Sequence, residues 1–283
     1  MMTKRTLLVT GAAGGMGRAI TRLLGPNHEL VLTDVSATAL DGFAKELDGE
    51  GYSIRATHAG DLGDVALLSA LAGAVAGDMP LTLVHTAGLS PSQADWKRIM
   101  DVNLVTSVKL LDAVEPGLAA GSVAILIASS AGYAMPVIPQ FQAILDEPLA
   151  PDLIDKLTPA IEHMSAGGPP AGAAGISYSL SKQAVLRLVE QRAIAWGKKG
   201  ARITSISPGL ILTPMGRSEL TNTPGAAETR DAAPVGRAGT AMDIALAARF
   251  LASDDASFIT GIDLRVDGGS TAAIRSDAAA GQG

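Results

Sequence analysis

Cysteine is absent from this sequence of 283 residues, which excludes disulfides, thiolate zinc sites and a cysteine nucleophile. Aromatic residues make up only 3% while the apolar fraction is 47%, so the core has to be built from Ala, Leu, Ile and Val. No run of about 18 apolar residues occurs, which argues against a membrane-spanning helix. An excess of positive charge is also missing: a net charge of −6 gives no reason to expect nucleic acid or an anionic membrane as partner. His28, His58 and His163 are scattered without ligand spacing, so no metal site is assigned. The opening Met-Met-Thr-Lys-Arg, followed by Leu-Leu-Val, is too short for a signal-peptide core. The expectation is a soluble, cytoplasmic protein, long enough for one large α/β domain.

Short aliphatic runs alternate with helix-length segments along the chain. Strands are expected at 6–9, 29–33, 53–57, 81–84, 123–128, 201–206 and 262–266. An amphipathic stretch follows the first of them, and periodic segments lie near 38–48, 63–75 and 92–118. Buried strands alternating with helices indicate a parallel sheet covered on both faces, and right-handed crossovers make it doubly wound. The expected fold is therefore α/β: a single Rossmann-type domain over 1–275 with a mostly parallel seven-stranded sheet. Two stretches break the rhythm. Residues 133–175 form a helical insertion before the Tyr178 helix, with Leu149, Leu153, Leu157 and Ile161 at helical spacing and Pro151 and Pro159 suited to first helical positions. Its end, the Gly/Pro/Ala tract 167–175, reads as mobile. Residues 214–238, far longer than an ordinary connection of about 4–6 residues, read as a substrate loop. Residues 276–283 read as a flexible tail.

The chemistry-bearing residues gather at strand ends. Gly11, Ala13, Gly15, Met16 and Gly17 belong to a turn, Thr10-Gly-Ala-Ala-Gly-Gly-Met-Gly17, that follows the first strand and opens a helix. Such a turn lets the backbone approach a pyrophosphate, and the helix N-terminus supplies N–H donors; the bland reading is a plain glycine-rich βα turn. The spacing T-G-x-x-x-G-x-G differs from the G-x-G-x-x-G of the larger dehydrogenases. Asp34 ends the second strand, where a carboxylate accepts hydrogen bonds from a ribose and repels a 2′-phosphate. Neither Gly14 nor Ser36 is basic and Arg18 is read as facing the helix start, so the expected cofactor is NAD rather than NADP. Asp61-Leu62, Ala87-Gly88, Ser129-Ser130 and the run Pro208-Gly209-Leu-Ile211-Leu-Thr213 each end a strand, on the sheet edge where open α/β folds bind ligands. Tyr178 and Lys182 stand four residues apart, on one face of a helix. A nearby ammonium lowers a phenol that otherwise titrates near ~10, which would let it exchange a proton with an alcohol close to neutral pH. His85 is read as a satisfied strand-end histidine in preference to a catalytic one.

Together with Asn103 and Val266-Asp-Gly-Gly269, this series closely resembles the short-chain dehydrogenase/reductase family over about residues 5–269. The long interval from Ser130 to Tyr178, and the run Ala193-Ile-Ala-Trp-Gly-Lys-Lys-Gly200, look most like the bacterial hydroxysteroid dehydrogenase/carbonyl reductase branch. The resemblance implies that Tyr178 is the acid/base and that Ser130 holds the substrate oxygen, the second serine being the better match and Ser129 the weaker. Lys182 is implied to bind the nicotinamide ribose and depress Tyr178, Asn103 to hold a water linking Lys182 to solvent, and Ile211 and Thr213 to fix the carboxamide. Where the family usually has Asn-Asn-Ala-Gly, this chain has His85-Thr86-Ala87-Gly88. The long interval implies a lid or an altered assembly. The function implied is NAD(H)-dependent interconversion of a secondary alcohol and a ketone by a homo-oligomer, dimer or tetramer, acting on a small molecule. Two other readings stay open: a non-catalytic dinucleotide sensor on the same fold, and an extended-branch epimerase or dehydratase, which would call for a longer C-terminal substrate domain.

Overall fold

A computed structural model describes residues 5–77, 79–166, 172–222 and 226–280. Seven strands, β1 (Arg5–Thr10), β2 (His28–Asp34), β3 (Ile54–Ala59), β4 (Leu81–His85), β5 (Val123–Ile127), β6 (Arg202–Pro208) and β7 (Asp263–Val266), form one sheet in the order β3-β2-β1-β4-β5-β6-β7. Every neighbouring pair is parallel, one step beyond the mostly parallel sheet expected. β4 and β5 are buried at every position, as strands with both faces covered must be, whereas the edge strand β3 alternates between half-buried and exposed residues. The chain leaves β1 in opposite directions toward β2 and β4, which opens a crevice at the carboxyl ends of β1 and β4.

The helices are α1 (Gly15–Leu24), α2 (Ala37–Gly49), α3 (Val65–Val75), α4 (Trp96–Met100), α5 (Thr106–Val114), α6 (Pro139–Leu145), α7 (Leu153–Ala166), α8 (Gly172–Lys198), α9 (Pro214–Asn222), α10 (Ala226–Asp231), α11 (Ala241–Ala252) and α12 (Ser270–Ala280). The sheet's alternation splits the core in two. Leu7, Val9, Leu30, Leu32 and Ile125 pack with Ile20, Phe43 and Ile244 of α1, α2 and α11. Leu8, Val31, Leu83, Leu126 and Ile203 pack with Leu71, Leu111 and Leu180 of α3, α5 and α8. The segment 92–118 is not one helix. Asp95 starts it by accepting from the N–H groups of Lys97 (2.9 Å) and Arg98 (3.0 Å), and a single π turn, Asp101–Val105, separates α4 from α5.

The insertion lies beside α8. Leu153, Leu157 and Ile161 are buried with Leu145, Val185 and Leu188, while Leu149 precedes α7 and is 49% exposed. Pro159 sits inside α7, not at a first helical position, and Pro151 lies ahead of the helix. Burying three aliphatic side chains, at roughly 1.5–3 kcal/mol each, outweighs the ~3 kcal/mol cost of an interior proline. Of the glycine-rich tract, 167–171 lie outside the described residues, and Gly172 already belongs to α8. The expected substrate loop is mostly helical, forming α9 and α10, with 223–225 outside the described residues. The expected tail is helical as far as Ala280, because α12 runs on past Arg275; 281–283 lie outside the described residues. Among the described residues no helix is long and apolar enough to cross a membrane.

Candidate active site

The turn after β1 is shaped by contacts that exclude side chains. Gly11 has φ +62, and a Cβ there would lie 3.0 Å from the Ala87 nitrogen; a Cβ on Gly17 would come within 2.2 Å of the Gly11 carbonyl oxygen. No side chain caps the N-terminus of α1, so its first-turn N–H groups are left for a ligand. The Asp34 carboxylate stands beside this turn, accepting from the N–H groups of Ala13 (3.0 Å) and Ser36 (3.1 Å). Arg18 does not face the helix start: it pairs with Glu46 and lies 4.3 Å over the Phe43 ring on α2. One strand further out, Asp61 accepts from the Gly63 N–H at 2.7 Å and pairs with Arg98, and the Gly63 bond leads the causes that hold its carboxyl below the usual range. Leu62 is buried behind it.

A cavity of about 510 Å3 opens at the carboxyl ends of β4, β5 and β6. It brings together Met16, Gly88, Ser129, Ser130, Tyr178, Lys182, Pro208, Ile211 and Thr213, and adds Glu219, Met215 and Arg275. Gly11, Ala13, Gly15, Gly17, Asp34, Asp61, Leu62 and Ala87 do not line it; they belong to the neighbouring stretch of the same sheet edge. Of the insertion 133–175, Tyr133, Ala134 and Gly175 line it, while Leu153, Leu157 and Ile161 are buried beside α8. The loop after β6 is tied in place by Gly239, which accepts from the Leu212 N–H at 2.8 Å, and a Cβ on Gly15 would strike the Thr213 side chain at 2.6 Å.

Both serines line the cavity, and Ser129 is the one that acts on the Tyr178 phenol. Ser129 caps the short 3-10 turn Ser130–Tyr133, whose Gly132 lies flat on α8, where a Cβ would come within 3.0 Å of the Gln183 nitrogen.

The Tyr178 phenol is not lowered on balance, contrary to what the pair's spacing leads one to expect. Burial raises the phenol well above the usual tyrosine range, Glu219 adds to the rise, and the Ser129 hydrogen bond pulls the other way. Lys182 is itself buried, with Nζ donating to the Ile127 carbonyl at 2.9 Å and lying 5.8 Å from the Tyr178 ring centre. Burial pushes this ammonium down from 10.5 to about 8. Between those values the unfolded chain holds a proton that the folded one has lost, so stability gains from this residue as pH rises across the window. In Lys182→Met that part of the rise is expected to vanish, measured as urea midpoints against pH for both proteins.

Behind the cavity, Asn103 is buried on the π turn; its side chain accepts from the Leu89 N–H (2.8 Å) and donates to the Leu89 carbonyl (3.0 Å). Gly88 closes over it, a Cβ there meeting Asn103 Oδ1 at 3.1 Å. His85 is a satisfied buried histidine. Ser107 Oγ spends its proton on the Asn103 carbonyl at 2.8 Å, so His85 Nε2–H donates to Ser107 at 2.9 Å and Nδ1 accepts from Thr10 Oγ1 at 2.7 Å. Burial holds this imidazole down to about 3, which keeps it neutral. The imidazole thus ties β1 to α5 where the usual asparagine is missing.

A family model described as short chain dehydrogenase matches residues 5–143, and one described as Enoyl-(Acyl carrier protein) reductase matches 161–271. Galactitol 2-dehydrogenase (L-tagatose-forming) of Cereibacter sphaeroides is 31% identical, across 93% of this chain and 93% of that protein. The 3-alpha-hydroxysteroid dehydrogenase/carbonyl reductase of Comamonas testosteroni is 28% identical across 95% of this chain and 97% of its own. A solved short-chain dehydrogenase/reductase of the glucose/ribitol dehydrogenase kind from Brucella melitensis superposes with a TM-score of 0.71 at 29% identity, covering 94% of this chain and 96% of that one.

Proposed function

The chain belongs to the short-chain dehydrogenase/reductase family, oxidoreductases that act on alcohols and ketones with a nicotinamide dinucleotide, and we propose that it interconverts a secondary alcohol and a ketone using NAD. The observation that carries this reading is the meeting of Tyr178, Ser129 and Lys182 in one cavity beside an uncapped helix N-terminus.

The residues present fit the dinucleotide. The Gly11–Gly17 turn is a cradle that Cβ atoms would fill, and the free N–H groups of α1 suit a pyrophosphate. Asp34 would accept from the adenosine ribose, with Asp61 and Leu62 beside the adenine end. Lys182 would hold the other ribose, and Ile211 and Thr213 the carboxamide. Arg18 is committed to Glu46, so no cation on α1 is aimed at a 2′-phosphate, which supports NAD over NADP. Bound there, NAD would supply the acceptor for the carbinol hydrogen and its electron pair, and its reduced form the donor.

This chain's side chains handle the proton. In reduction Tyr178 Oη donates it to the carbonyl oxygen, and in oxidation the phenolate takes it from the hydroxyl. Ser129 Oγ–H bonds the same oxygen and steadies the phenolate. A phenol raised by burial is a reluctant acid, so the charged form of Lys182, close by, matters most in stabilising the phenolate. We also infer a homo-oligomer: α6 and α7 cover one side of α8, while Met242, Leu246 and Phe250 leave an apolar stripe on α11 43–47% exposed.

Incubating the protein with secondary alcohols and either NAD or NADP, and following the reduced nicotinamide, tests the reading. NAD-dependent oxidation is expected. Cofactor binding without turnover of any alcohol or ketone would favour the sensor instead.

A further inference from the structure

Glu219 is the one acidic side chain among the described residues that line the cavity. It stands on α9, on the same face as Met215 and Gly216, which also line it. The start of α9 is pinned: the Gly216 N–H donates to Thr213 Oγ1 at 3.2 Å, and a Cβ on Gly216 would lie 1.9 Å from the Ile211 carbonyl oxygen. The helix therefore cannot slide away from the cleft without releasing the loop after β6. One turn on, Glu219 is held near Tyr178 and Lys182, both of which sense its charge. Among the described residues no hydrogen bond or ion pair engages its carboxylate.

Several other polar groups of the cavity are engaged. Tyr133 donates to Asp263 at 2.7 Å, and Arg275 donates to the Tyr133 carbonyl at 3.2 Å and lies 5.4 Å over its ring. Lys182 donates to Ile127, and Ser129 accepts from the Ala131 N–H at 3.2 Å. Part of the remaining wall, with Leu89, Pro91, Met215, Ala226 and Ile274, is apolar. A partly dry carboxylate with no bound donor is suited to accept one from what enters the cavity.

We propose that Glu219 determines substrate specificity by accepting a hydrogen bond from a second donor on the substrate, a hydroxyl or an ammonium group apart from the reacting carbinol. The preferred substrates are then polyhydric or amino alcohols and their hydroxy- or aminoketones. This deepens the alcohol dehydrogenase reading and rests on it. Burial raises the Glu219 carboxyl and Lys182 opposes the rise; a donor from the substrate would favour the ionised form further.

The test uses cyclohexanol, the cyclohexanediols with the second hydroxyl on carbon 2, 3 or 4, and the matching aminocyclohexanols. kcat/KM is measured for wild type, Glu219→Leu and Glu219→Gln. Wild type should prefer at least one diol or amino alcohol to cyclohexanol, and Glu219→Leu should lower that ratio about 10- to 100-fold, the range for a hydrogen bond to a charged group. If the donor is a hydroxyl, Glu219→Gln keeps most of the preference; if it is an ammonium, Gln loses it as Leu does. Unchanged ratios in both variants would overturn the inference while leaving the dehydrogenase reading intact. No turnover of any of these alcohols by wild type, with either cofactor, would overturn both.

Discussion

Replacing Tyr178 with Phe is expected to lower kcat about 10²- to 10⁴-fold, the usual share of general acid/base catalysis, and to leave NADH binding within a few-fold of wild type. Phe keeps the ring that packs in the cavity wall and removes only the hydroxyl, so the loss falls on the proton transfer. Ser129→Ala should follow it, because Ser129 is the serine that acts on the phenol. Ser130→Ala should fall less, since Ser130 opens the 3-10 turn that Ser129 caps. Single-turnover reduction of a ketone, with cofactor titrated separately by fluorescence, separates binding from chemistry. Near wild-type turnover in Tyr178→Phe would end the mechanism proposed here. Equal losses in the two serine variants would undo the assignment to Ser129.

The second large effect is expected at Asp34. Wild type should use NAD in preference to NADP, and Asp34→Arg should lower kcat/KM for NAD about 10- to 100-fold while raising it for NADP. Hydrogen bonds to a charged group contribute roughly 1.5–3 kcal/mol, and each ~1.4 kcal/mol is tenfold, which sets the first figure. The gain follows from the guanidinium, whose planar fork suits a phosphate. Asp34 also accepts from the N–H groups of Ala13 and Ser36, so the substitution loosens the glycine turn as well. A thermal melt of the variant with each cofactor distinguishes lost shape from changed preference: a loosened turn weakens both cofactors, whereas a switch raises the melting temperature with NADP alone. Equal kcat/KM for the two cofactors in wild type would count against this reading of Asp34.

Much of this protein was determined by local pattern. The aliphatic runs at 6–9, 81–84 and 123–128 become the buried strands β1, β4 and β5 because a strand covered on both faces needs apolar residues without a break. The turn at Gly11–Gly17, the carboxylate of Asp34 and the Tyr178/Lys182 spacing are equally local: each follows from steric room, strand-end position or helix period. Their convergence on one sheet edge follows from parallel strands, which all end on the same side.

Tertiary structure decided the rest, and always where a distant segment sets the environment. Ser129 and Ser130 reach the cavity at the end of β5, where Gly132 lies against α8. The direction in which Tyr178 and Lys182 shift depends on burial, which no pair spacing reveals. Pro159 lies within a helix because its neighbours at 153, 157 and 161 bury against α8. Glu219, inside a stretch that read as loop, enters the cleft only because α9 forms and is pinned to Ile211 and Thr213. Period and composition report what a segment buries; what it meets there is set by contacts between residues far apart in the chain.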